Sequence, residues 1–133
     1  MAEVFTNAVE IPVLIESDTY DGVAGSGFTE SPAQTNVKWK GVEVIINVTS
    51  LNGDTPVITP EIQARDPATD GFYPLLSGAA ISTVTTVFLT VHPDLTAAAS
   101  LVAKRGLPYI WKVSIAHTDS KPIDFSVGAN YLF

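Results

Sequence analysis

The stretch LPYIWKVSIAHTDSKPIDFSVGANYLF, residues 107–133, decides the fold class. Leu107, Tyr109, Trp111, Val113 and Ile115 fall at alternate positions, and so do Ile123, Phe125, Val127, Ala129, Tyr131 and Phe133. Successive side chains of a strand point to opposite faces, so each run makes one apolar face and one mixed face. Between the runs, Thr118-Asp119-Ser120-Lys121-Pro122 supplies turn-forming residues. The pattern predicts two half-buried strands about one polar turn, with Tyr109 and Trp111 facing the core.

The same alternation extends upstream. Val42, Val44, Ile46 and Val48 share one face, while Glu43, Ile45, Asn47 and Thr49 take the other. Asn52-Gly53 follows, a pair that tolerates the positive φ of a tight hairpin, so residues 57–65 are expected to return as its partner strand. Pro60 within that run marks an edge or an irregularity, because proline donates no ladder hydrogen bond. Residues 66–71, Asp-Pro-Ala-Thr-Asp-Gly, form the next turn, and Phe72-Tyr73-Pro74-Leu75-Leu76 a short strand. Residues 83–91 are rich in β-branched side chains, which suit a pleated backbone. The Ala-rich residues 94–104, closed by Gly106, are expected to form a loop or a turn or two of helix. Turn signals about 8–12 residues apart fit a sandwich or barrel. The reading is all-β: one antiparallel β-sandwich domain of about eight strands over residues 37–133.

Residues 1–36 are the least regular. Residues 9–15 read as a strand that Pro12 confines to an edge or a bulge. Residues 18–36 are dominated by Gly, Ser, Thr and Pro, and too few large apolar residues interrupt them to hold the segment down. They are expected to form a long loop, or an arm ordered by a neighbour.

Composition excludes several function classes. The 133 residues suffice for one domain with a real core. Apolar residues make up 46% and charged residues 16%. So low a charge fraction means either that much of the surface is covered by other chains or that Ser and Thr supply its polarity. The net charge is −7. Residues 1–70 carry 11 acids and 3 bases, whereas residues 71–133 carry 3 acids and 4 bases. This is no nucleic-acid footprint; the acidic N-terminal third either complements a basic partner or keeps the protein soluble. Cysteine is absent, which removes disulfides, thiolate catalysis and zinc–thiolate sites. The N-terminus lacks the basic and apolar regions of a signal peptide, and no apolar run spans a bilayer. A product made and kept in a reducing cytoplasm, or in a particle assembled there, is expected.

No reactive cluster stands out. His92 and His117 are far apart in sequence and read as ordinary strand-end histidines. Asp54, Asp66 and Asp70 lie in predicted turns, where aspartate is expected in any case, and they lack the dense oxygen set that calcium requires. No nucleophile elbow, phosphate loop or spaced carboxylate pair appears. Asn47-Val48-Thr49 matches a glycosylation sequon, which has no meaning without secretion. Neither a metal nor a cofactor is expected, and neither is catalysis. Trp39 differs from the other aromatics because Lys38 and Lys40 flank it. It reads either as the first inward residue of a strand or as a contact for an acidic or carbohydrate partner. With two aromatics of the N-terminal segment, the candidate partner-contact residues are Tyr20, Phe28, Lys38, Trp39 and Lys40.

Four runs carry a resemblance: GVEVIINVT at 41–49, IQARDP at 62–67, LPYIWKV at 107–113 and FSVGANY at 125–131. Over residues 37–133 the chain resembles small structural proteins encoded in the morphogenesis regions of tailed bacteriophages. Head decoration (cement) proteins fit best. The resemblance implies a compact sandwich or jelly roll, a place on the capsid surface of a virion built in the bacterial cytoplasm, and no chemistry. It also implies two partners, the major capsid protein and further copies of the chain itself, as a homotrimer. Residues 1–36 would then reach the shell or an adjacent copy. A carbohydrate-binding sandwich module is the alternative, with a tail or neck protein of the same fold class third.

Overall fold

The computed structural model describes residues 8–20, 27–51, 57–117 and 123–133, with the backbone alone over 8–20 and at 27. Ten strands follow in chain order: β1 (Ala8–Tyr20), β2 (Gly27–Glu30), β3 (Gln34–Thr35), β4 (Gly41–Leu51), β5 (Ile58–Arg65), β6 (Phe72–Ser77), β7 (Thr85–Val91), β8 (Val102–Ala103), β9 (Ile110–His117) and β10 (Ile123–Leu132). They form two five-stranded sheets. The first runs β1-β10-β4-β7-β8, and the second runs β2-β9-β5-β6 with β3 also on β9.

The pairing is nested. β5 pairs with β6, β4 with β7, β2 with β9 and β1 with β10, all antiparallel. This is one long ribbon folded over itself, and the fold brings β10 against β4 and β9 against β5. Eight strands so connected in two facing sheets are a jelly roll. The two-residue strands β3 and β8 are additions at its margins, and among the described residues β8 alone pairs in parallel, with β7.

Alternation places the core as the sequence predicts. Val42, Val44, Ile46 and Val48 of β4 face Trp111, Val113 and Ile115 of β9 across the sandwich, with Phe125 and Val127 of β10, and all are buried. Each fully buried Val, Ile, Leu or Phe stabilises the fold by about 1.5–3 kcal/mol. Pro12 and Pro74 lie on β1 and β6, the outer strands of their sheets. Pro60 lies on β5, between β9 and β6. Its carbonyl accepts from the Gly78 amide, beyond the end of β6. The N and O of a strand residue in an antiparallel ladder point the same way, so the missing donor faces a place where no strand runs.

Several expectations change. Asn52-Gly53 lies outside the described residues, but the strands on either side of it belong to opposite sheets. β4 and β5 therefore form no hairpin. The same holds for β9 and β10 around residues 118–122, which also lie outside the described residues. Residues 94–101 form turns and bends and lead into β8, without a helix. Of the 18–36 segment, expected as a long loop or an arm, residues 21–26 lie outside the described residues, and the rest supplies strands to both sheets. The end of β1 pairs with β10, and β2 and β3 pair with β9. Between β2 and β3, buried Ser31 continues the ladder: its amide donates to the Val113 carbonyl, and its Oγ accepts from the Val113 amide, each at 2.9 Å.

Candidate functional site

One end of the sandwich gathers the chemistry. β4, β6 and β9 begin there, and β5, β7, β8 and β10 end there. Lys38, Lys40, Arg65, Lys104, Arg105 and Lys112 lie at or beside this end, six of the chain's 7 basic residues. The remaining one, Lys121, is outside the described residues.

Asn36 organises the surface. Its Nδ2 donates to the Trp39 carbonyl at 2.7 Å and to the Leu107 carbonyl at 2.9 Å, and its Oδ1 accepts from the Trp39 amide at 2.8 Å. Its own amide donates to the Tyr109 carbonyl. One buried amide side chain thus joins the entry to β4 to the entry to β9. Asn36→Ala leaves the buried Leu107 carbonyl and the part-buried Trp39 carbonyl without this donor, and urea unfolding followed by circular dichroism is expected to show a loss of about 2 kcal/mol. An unchanged midpoint would remove Asn36 from this role.

Trp39, held this way, stands at the outer part of an aromatic ladder. Buried Trp111 meets Tyr131 edge-on at 6.0 Å, Tyr131 stacks on Trp39 at 6.1 Å, and Trp39 meets Phe133 edge-on at 6.3 Å. The Tyr131 hydroxyl donates to the Thr35 carbonyl at 3.2 Å. Lys38 Nζ lies 4.9 Å from the Trp39 ring centroid, and Lys40 Nζ lies 5.9 Å from that of Phe133. Beneath them His92 accepts from the Asp94 amide at Nδ1, which leaves the proton on Nε2 to donate to the Phe133 main-chain oxygen at 3.2 Å. Trp39 is half-buried, Phe133 is 60% exposed and Val37 is 75% exposed.

A cleft of about 200 Å³ opens at the same end, lined by Arg65, Pro67, Tyr73, Pro108, Tyr109 and Ile110. Tyr109, expected in the core, is 61% exposed. Its strand begins only at Ile110, and Asn36 holds residues 107 and 109 by their carbonyls, so the alternation does not reach back past Ile110. Arg105 lies with its guanidinium carbon 5.9 Å from the Tyr73 ring. Arg65 Nε is 3.9 Å from Asp70 Oδ1.

Of the residues singled out from the sequence, Lys38, Trp39 and Lys40 come together here. Phe28 does not: it sits opposite Ala116, toward the other end of β9, and is 69% exposed. Tyr20 pairs with Ile123 at the start of β10, also at the far end, and its side chain is outside the description. Sequence reading missed Tyr131 and Phe133 as surface groups because they continue the apolar alternation of β10. It missed the Arg65–Tyr109 cleft because its walls come from three separated segments.

His117 is buried, with Nε2 2.8 Å from Thr29 Oγ1 and its ring 5.9 Å from that of Phe125. Asp66 accepts from the Ala68 amide in its turn. Among the described residues no three His, Asp or Glu side chains gather closely enough to hold a metal ion, and no helix is long and apolar enough to cross a membrane.

Fold and pairing together define a jelly-roll sandwich protein. No protein-family model matches the chain, and no curated protein does. Among solved structures it is similar to the crystal structure of PirA, at 15% identity over 92% of this chain and 96% of that one, with a TM-score of 0.55. It is also similar to a structure of the Gx strain of infectious bursal disease virus, at 13% identity and a TM-score of 0.49, over 93% of this chain but 30% of that one. At such identity the PirA likeness is one of fold.

Proposed function

We propose that this chain is a non-enzymatic structural protein of a virion, which decorates the capsid and stabilises it by bridging subunits of the major capsid protein. The observation that carries this reading is the surface around Trp39: exposed aromatic and apolar side chains, flanked by lysines, at one end of a rigid sandwich. Trp, Tyr and Arg are the residues that dominate protein interfaces energetically, and large exposed apolar groups mark contact surfaces. The resemblance of residues 37–133 to phage morphogenesis proteins points the same way. A second surface suits contact between copies in a homotrimer. On the outer face of the first sheet Phe88, Ile45 and Gly128 lie in one row across three strands, and Phe88 is 50% exposed.

Two measurements test the reading. Counting copies of the chain on purified particles should give a number matching the symmetry positions of the shell. A single ring's worth would favour a tail or neck protein, and none at all would end the virion reading. On shells stripped of the protein, Trp39→Ala should cost about 2 kcal/mol of binding. The double reversal Lys38→Glu, Lys40→Glu should weaken rebinding about tenfold, with a smaller salt dependence. Rebinding unaffected by all of these would place the contact elsewhere.

A further inference from the structure

We infer that the cleft between Arg65 and Tyr109 is a docking pocket for an acidic protein segment, one that inserts a large apolar side chain flanked by carboxylates. The inference holds whatever larger body the segment belongs to, and so stands apart from the virion reading.

Size comes first. The cleft measures about 200 Å³, below the 300–1,000 Å³ or so of pockets that enclose a whole small-molecule ligand. It suits one inserted side chain. The lining decides the chemistry of that side chain. Pro67, Pro108, Ile110 and the rings of Tyr73 and Tyr109 present carbon, and the charged group among the lining residues is the Arg65 guanidinium. A sugar ring carries hydroxyls on every side, and each needs a partner when buried. This lining offers one guanidinium and two phenols, too few to serve them. A phenyl or branched aliphatic group asks for none.

Charge then selects the neighbours of that group. Arg65 stands at the wall with its Nε 3.9 Å from Asp70, a long contact on an exposed side chain that binds it weakly. Arg105, beyond the lining itself, lies with its guanidinium over the Tyr73 ring at 5.9 Å, and Lys104 precedes it in the chain. A guanidinium matches a carboxylate with two parallel N–H donors. Two guanidiniums beside one apolar slot therefore fit an apolar residue with an acid on each side. The chain as a whole is acidic, at −7, so this end is where an acidic partner is drawn. Tyr109 connects the cleft to the Trp39 surface through Asn36, and one partner can cover both.

The test uses the full chain and a defined probe, the peptide acetyl-Gly-Glu-Phe-Asp-Gly-amide, with its Gln/Asn counterpart and a glucuronate disaccharide as comparators. In ¹H–¹⁵N NMR titration the acidic peptide is expected to shift the amides of Arg65, Tyr73, Tyr109 and Ile110, with binding that weakens as salt is added. Arg65→Gln should weaken it about tenfold, the scale of one lost charge-assisted hydrogen bond. Tyr109→Ala should weaken it similarly; both side chains are on the surface, and an unchanged spectrum elsewhere shows the fold kept. Equal binding of the uncharged peptide, shifts mapping away from the cleft, no shifts at all, or shifts with the glucuronate alone would each overturn the proposal.

Discussion

Trp111→Ala is expected to lower the unfolding free energy by about 3–5 kcal/mol, the range for removing a large aromatic side chain from a packed core. Trp111 is wholly buried, opposite Ala64 on β5 and edge-on to Tyr131. Two effects contribute, and their sizes can be compared. The indole N–H donates to the Tyr131 hydroxyl at 3.4 Å, a long bond whose net worth is at most about 1 kcal/mol. The buried ring area and the cavity left behind are worth several times that. Trp111→Phe should therefore recover most of the loss, which a polar explanation would not allow. Urea unfolding by circular dichroism measures both variants. The chain has 2 tryptophans, so in Trp111→Ala the remaining fluorescence belongs to Trp39. Its emission should move toward that of a solvated indole, because Tyr131 loses the group it leans on. A cost below about 1 kcal/mol would mean that the aromatic ladder is not anchored in the core.

Much of the sandwich was legible because alternation is a local signal. Val42 to Val48 on β4 and Ile123 to Ala129 on β10 state their inward faces residue by residue, and the structure buries them accordingly. Which strand lies beside which is not local. A turn that returns a strand within its own sheet and one that carries it to the facing sheet leave the same apolar period on both sides. That is why β5 read as the hairpin partner of β4, and why it stands instead between β9 and β6. The segment before residue 37 misled for a different reason. Over residues 28–36 the strands β2 and β3 are short, and backbone hydrogen bonds to β9, with Ser31 and Asn36 as polar pins, hold the chain there. Hydropathy does not register that kind of anchoring.

The site was legible in part, and the division follows the same line. The Lys38-Trp39-Lys40 triplet is contiguous and so visible. Tyr131, Phe133, Tyr109, Arg65 and Arg105 join it only through the jelly-roll path. Phe28 and Tyr20 precede the triplet in the same N-terminal segment, yet the path of β1 and β2 takes them to the opposite end.

Gly41→Ala is expected to be the most damaging change of a single small residue, costing about 3 kcal/mol or preventing folding outright. A Cβ on Gly41 would collide with the Val91 carbonyl oxygen and lie 2.9 Å from His92 Cδ2 and 3.1 Å from His92 Cα. Backbone atoms cannot swing aside as a side-chain tip can, so β4 would have to part from the end of β7. The consequences follow the contacts already described. Gly41 pairs with Leu132, and the adjacent Lys40 amide donates to the Leu132 carbonyl while its own carbonyl accepts from the Leu107 amide. Moving this corner displaces His92 from Phe133 and loosens Trp39 with it, so a destabilised but folded variant should also lose the capsid binding proposed for the Trp39 surface. Gly128→Ala supplies the contrast. Gly128 lies in the middle of β10, opposite Ile45, and a Cβ there meets nothing within 4 Å. Alanine restricts the unfolded chain and should stabilise the protein by about 0.5–1 kcal/mol. Thermal and urea unfolding of the pair should therefore move in opposite directions. If Gly41→Ala proved neutral, the close approach of β4 and β7 at the basic end would be disproved, and with it the rigid base on which the Trp39 surface is built.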